Sequence, residues 1–220
     1  MADDNEPGQN LVPRSTKVET ALDVAGVVAS AVPWIGGPVS AVLSGMSFGR
    51  KFNRVREVLD GLSSDLRDFK SEASEQYVRT EEFEELLEAT LKRAAEERSA
   101  EKRAMYRSFL SHAIQSPGAA YDEQLRYLRT LDELQPDHVR VLEALSRVPE
   151  GGSGMMGSPS GTLIARLPDM PRERLDDLVN HLNDMRLTNL TSLHAMMTFH
   201  GAQDLRHAIT PYGRRFLESL

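Results

Sequence analysis

The sequence predicts a mainly α-helical fold in two parts. An N-terminal helical bundle carries an apolar hairpin broken by Pro and Gly, and a C-terminal helical module carries a small β-hairpin. Three observations lead there. Apolar residues recur at spacings of three and four between Phe52 and Leu131. A run without charge stretches from Val24 to Gly49 and is split by Pro33 and Pro38. Beyond Pro136 the helices become short and the spacing of Gly and Pro tightens.

Residues 1–15 are polar, with Asp, Asn, Glu, Pro and Gly, and are expected to form a disordered leader. Their acidic start is unlike the basic opening of a secretory signal. Thr16 or Thr20 offers a cap for a helix over about 17–32, and Trp34-Ile35-Gly36-Gly37 between the prolines makes a tight turn. A second helix, 39–49, is expected to run on through Arg50, Lys51, Arg54 and Arg56. It presents Phe52, Val55, Leu59, Leu62, Leu66 and Phe69 on one face. After a polar break at Ser71–Ser74, one long helix is expected from Thr80 to Gln115. Its charged stretch Glu96–Arg103 reads as solvated surface. Ser116-Pro117-Gly118 ends it, and Tyr121–Leu134 forms the next helix. This assigns a helical domain to 16–135 and a second domain to 136–220.

In the second domain Pro136 opens a helix, and Gly151–Gly157 forms a flexible loop. A short helix (160–167), a turn at Pro168–Pro171 and a longer helix (172–185) follow. Alternation over Leu187–Phe199 predicts a strand, Gly201–Asp204 a turn, and Leu205–Thr210 the returning strand. Pro211 starts the last helix. This order, with the closing Ile209-Thr210-Pro211-Tyr212-Gly213-Arg214-Arg215-Phe216-Leu217, resembles a winged helix-turn-helix domain over about residues 136–220. The resemblance implies a contact helix at 172–185, with Arg172, Arg174, Asn180, Asn183 and Arg186 as candidate contacts and Arg206 on the wing. DNA is disfavoured by charge. From residue 136 on there are nine Arg, no Lys and ten acidic residues, and the contact helix itself holds Glu173, Asp176, Asp177 and Asp184. The net charge of −7 points the same way.

The uncharged run holds 15 apolar residues among its 26, which suits either of two uses. It can form a buried helical hairpin whose small residues allow close packing. Alternatively it can act as a conditional membrane or assembly segment, with Val24, Val28, Val32, Trp34, Ile35, Val39, Leu43 and Phe48 as the apolar surface. Arg50, Lys51 and Arg54 would then face anionic headgroups. Leu22-Asp23-Val24-Ala25-Gly26 and Ser47-Phe48-Gly49-Arg50-Lys51-Phe52 resemble the start of HeLo-type cell-death bundles. That resemblance implies a releasable, membrane-attacking N-terminal helix. The inserted Trp34–Pro38 turn departs from the family's single helix.

There is no Cys, which removes disulfides, thiolate metal sites and a Cys nucleophile and fits a reducing, cytoplasmic setting, with a place at a membrane periphery if the uncharged run is membrane-active. The six His show no metal spacing, and no phosphate-binding or nucleophile-elbow motif is present. The acidic run Glu81–Glu88 reads as a solvated helix face. The expectation is a non-enzymatic protein without metal, cofactor or small-molecule substrate. It would act by contact with a protein partner or itself, with a DNA-binding regulator as the alternative.

Overall fold

The computed structural model describes residues 39, 43, 49–67, 69, 71–149, 154–191 and 193–220. The expected leader, the 17–32 helix, the Trp34–Pro38 turn, most of the 39–49 helix and residues 151–153 of the Gly-rich span lie outside them. The described chain is mainly helical with a small antiparallel two-strand sheet. The bundle comprises α1 (Arg50–Asp65), α2 (Glu72–Val78), α3 (Glu81–Glu96), α4 (Ala100–Gln115) and α5 (Tyr121–Glu133). There follow α6 (Pro136–Ser146), β1 (Met156–Gly157), α7 (Pro159–Arg166), α8 (Arg172–Asp184), β2 (Met197–Thr198), the one-turn α9 (Phe199–Gln203), a 3-10 turn (Arg206–Ala208) and α10 (Pro211–Glu218).

Hydroxyl side chains set many of these helix starts. Ser71, Thr80, Ser99, Ser158 and Thr210 each accept the backbone N–H three residues on, a bond worth about 1 kcal/mol per helix. Pro136 and Pro211 take first-turn positions where no N–H is needed. The apolar stripes then close on one another. Phe52, Val55, Leu59 and Leu62 of α1 pack on α3 and α4, and α5 covers α3 from the other side. One continuous core runs from Val39 and Leu43 to Phe216 and so spans both halves of the chain. The last helix is stapled to the bundle: Tyr212 stacks on Tyr127 at 5.7 Å, meets the Thr130 hydroxyl at 2.6 Å, and lies under the Arg126 guanidinium at 4.1 Å.

Four sequence expectations change. First, the helix expected to run through residue 49 is interrupted: Gly49 has φ 152°, a conformation closed to residues with a side chain, and α1 starts after it. Second, the expected 80–115 helix is two helices. Glu97 turns to extended geometry, its carboxylate accepts the Ser99 N–H at 2.7 Å, and Ser99 caps α4. Third, the charged stretch around that break is not all solvated, because Lys102 and Arg103 are buried. Arg103 braces the break with Nη1 on the carbonyls of Glu97 (3.2 Å) and Arg98 (2.9 Å). Its Nε and Nη2 hold Glu57 at 3.1 and 2.6 Å. Fourth, the strands form elsewhere. Met156 pairs with Thr198 and Gly157 with Met197, so the Gly-rich span supplies one strand and only 197–198 of the expected strand forms the other.

The reason is burial every third residue rather than every second. Leu187, Leu190 and Leu193 are all buried, and a strand would send alternate members of that set to opposite faces. Between the two expected strands there remains a single bridge, Thr188 with Ile209. The expected turn at 201 is instead helix α9, which Thr198 caps.

Candidate contact face of the C-terminal module

Helix α8 buries Leu175, Leu178, Val179 and Leu182 and turns Glu173, Asp177, Asn180 and Asp184 outward. Those four positions recur every three to four residues, so they form one stripe, and three of the four are acidic. Arg172 is exposed at its start. Asn180, Arg186 and Arg206 are exposed too, whereas Arg174 and Asn183 are half-buried, and Arg174, Asn183 and Arg206 bond to groups of the chain itself. Arg174 donates to the Gln135 side chain and reaches Asp137 at 3.4 Å. Asn183 donates Nδ2 to the Leu190 carbonyl at 2.9 Å. Its Oδ1 accepts the Thr188 hydroxyl at 2.6 Å and the Leu190 N–H at 3.0 Å. Three of that amide's hydrogen bonds go into holding the chain after α8. Arg206 forms a two-pronged pair with Asp204 at 2.8 Å, and that pairing draws the Asp204 carboxyl down to about 2.

Arg186 has a different constraint. The Leu187 N–H reaches back to the Leu182 carbonyl at 2.9 Å, and the Arg186 N–H reaches Asn183 at 2.9 Å. This is the six-to-one and five-to-two closure of a Schellman motif, sealed by buried Leu182 and Leu187. It puts Arg186 at φ 58°, a position that favours Gly. Arg186→Gly is expected to stabilise the protein by about 0.5–1 kcal/mol, read as a rightward shift of the urea midpoint at unchanged slope. An unchanged or earlier midpoint would show that the Arg side chain contributes more than the strain costs.

The described residues expose four large apolar side chains: Met155 at 91%, Val148 at 68%, Met196 at 63% and Met156 at 54%. The three Met residues lie on the β1–β2 ribbon or next to it. His194 joins Asp176 of α8 at 3.2 Å, which sets the approach to Met196 beside the first half of the acidic stripe. That contact ties the segment leading into β2 to α8, while Met155 and Met156 lie on the β1 side of the ribbon. The sequence carries this apolar surface only as Met155-Met156 and Met196-Met197, two Met pairs without helical period.

At the other end of the chain, three positions of the uncharged run are described: Val39 and Leu43 are buried in the core and Gly49 is exposed. Val24, Val28, Val32, Trp34, Ile35 and Phe48 lie outside the described residues. Of the cations assigned to headgroups, Lys51 is exposed and Arg54 half-buried. Lys51 pairs with Glu96, and Arg54 donates to the carbonyls of Ala95 (2.9 Å) and Glu96 (3.1 Å), which close α3. Arg50 is exposed. No helix among the described residues is long and apolar enough to cross a membrane.

Two of the six His face each other, which the 43-residue separation hid. His138 Nε2 lies 2.8 Å from His181 Nδ1, joining α6 to α8. No group of three or more metal-ligating side chains forms among the described residues. Comparisons with protein-family models, with curated proteins and with solved structures find no match.

Proposed function

We propose that this protein acts by contact and that its C-terminal module docks a protein partner. The partner presents an apolar anchor flanked by Lys or Arg. The observation that carries this reading is that the module exposes Met155, Met156 and Met196 on its ribbon and an acidic stripe on α8. Flexible, polarisable Met side chains suit an adaptable apolar contact, and Glu173, Asp177 and Asp184 complement a basic rim. The same acidity, with Arg174, Asn183 and Arg206 already engaged, counts against the regulator reading. A groove-reading helix needs free cations toward phosphate. The winged-helix arrangement remains part of this proposal, as the scaffold that presents α8. For the uncharged N-terminal run, burial of Val39 and Leu43 favours a bundle-core role over a membrane excursion.

The test is retention of a partner on immobilised full-length protein in low salt. A partner with the proposed chemistry is lost with the double substitution M155S and M196S, and again with D177K. A partner kept by all variants, or none that responds to salt, overturns the proposal. Electrophoretic shifts with duplex DNA at about 50 mM salt are expected to be absent, since phosphate contacts are strongest there. Vesicles with anionic lipid are expected to keep their contents, and leakage would restore the membrane reading.

A further inference from the structure

We propose that the seam between α4, α5 and α10 binds a small zwitterion with an apolar body, the chemistry of an apolar α-amino acid. The site is separate from the Met patch and stands whether or not that face docks a partner. A cavity of about 340 Å³ opens there, within the range of small-ligand pockets. Phe109, Ala113 and Tyr127, all buried, supply an apolar floor.

The polar groups around that floor carry both signs. Gln124 is only 3% exposed, and its carbonyl oxygen accepts the Tyr77 hydroxyl at 2.6 Å. Its amide nitrogen donates to nothing among the described residues. The His112 ring also makes no hydrogen bond there, and Arg215 gives Nε to Glu123 at 3.0 Å while a guanidinium has further N–H donors to offer. These three donors suit a carboxylate.

Two carboxylates share the same lining. Glu123 takes both the Tyr127 hydroxyl (2.6 Å) and Arg215 on one oxygen, leaving Oε2 open. Glu218 is exposed and enters no ion pair among the described residues. They suit an ammonium group. A plain carboxylate would meet two like charges, and a plain amine would meet Arg215. A ligand with both groups satisfies both sets, and its apolar body covers the aromatic floor.

Calorimetric titration of the full chain with L-leucine and L-phenylalanine tests this, with 4-methylpentanoate and phenethylamine as one-charge probes. We expect saturable binding of at least one amino acid below about 10 mM. Each one-charge probe should bind about tenfold more weakly or worse, the scale of one lost charged hydrogen bond. Ala113→Trp, which fills the cavity, should abolish binding. Glu218→Gln, at an exposed position, should weaken it about tenfold while leaving the melting temperature of the free protein unchanged. The Gln variant keeps the test readable if the Trp variant fails to fold. Absence of saturable binding by either amino acid, equal binding of the one-charge probes, or binding indifferent to Glu218→Gln would each overturn the proposal.

Discussion

Replacing Lys102 by Met is expected to destabilise the protein by about 2–4 kcal/mol and to lower its melting temperature by roughly 5–12 °C. The Lys102 side chain is 4% exposed and ends against the C-terminus of α5. There its ammonium donates to the carbonyls of Leu131 and Leu134 and reaches that of Asp132 at 3.3 Å. The last carbonyls of a helix have no partner within it and carry the negative end of its dipole. One ammonium with three N–H groups therefore meets three of them at once. Burial pulls the Lys102 pKa down, against Asp132 and Glu97, which raise it. Met keeps the length and packing of the stem, so the change isolates the lost cap from the lost volume. Thermal unfolding at pH 7 followed by circular dichroism checks it. A fall of under about 1 kcal/mol would show that water from the neighbouring open cavity, lined by Lys102, Asp132 and Leu134, takes over the carbonyls.

Lys102 also shows where reading the sequence stops. The helix starts at Thr80, Tyr121, Pro136, Arg172 and Pro211 were legible, because caps and prolines act within one turn and leave a local signature. The bundle stripe was legible for the same reason. The break at Glu97–Ser99 was not. The surrounding Ala, Glu, Lys and Arg residues are strong helix formers, so the stretch scores as continuous helix. What ends α3 is a tertiary bracket of Arg103, Glu57 and Arg54, with partners more than 40 residues away in sequence. A charged run reads as surface by default, and only the fold brings the α5 carbonyls to Lys102.

The small sheet failed to show for a different reason. Strands of two residues have no period to detect, and the alternation over 193–199 adjoins a segment, 187–193, that is buried on a three-residue repeat. The candidate contact face was half legible. Arg172 and Asn180 do stand on the exposed side of α8. Asn183 and Arg174 share that helix yet belong to its supports, a distinction set by Leu190 and Gln135 and not by helical spacing.

Stability is expected to fall by about 3 kcal/mol as pH drops from 6.5 to 4, through the His138–His181 pair. The Gln135 N–H donates to His138 Nδ1 at 3.0 Å. An amide can only donate, so that nitrogen carries no proton and the neutral ring holds its proton on Nε2. Nε2 then donates across 2.8 Å to His181 Nδ1, which fixes His181 as the Nε2–H tautomer. Protonating either acceptor nitrogen sets N–H against N–H, in a site where His138 is 5% exposed. Arg174 at the Gln135 side chain makes a nearby positive charge still less welcome, and Asp137 offsets it only in part. Burial first, and then His181, bring the His138 pKa from 6.5 to about 4.

The sign follows from proton counting. Between those two values the unfolded chain holds the proton and the folded chain does not, so unfolding gains as pH falls. The stabilisation is complete above about 6.5 and lost through the window down to 4. Carboxylates with lowered pKa, Glu123 and Asp169 among them, lose their share only from about pH 4.5 downward. The two contributions therefore separate along the pH axis. His138→Asn keeps an acceptor and a donor in place but does not titrate, so it should flatten the denaturation midpoint between pH 6.5 and 4.5 while leaving the acid limb below. An NMR titration of wild-type protein should place the His138 ring near 4. A midpoint near 6.5, or a variant with the wild-type slope, would mean that the pair opens to water on protonation and does not couple α6 to α8.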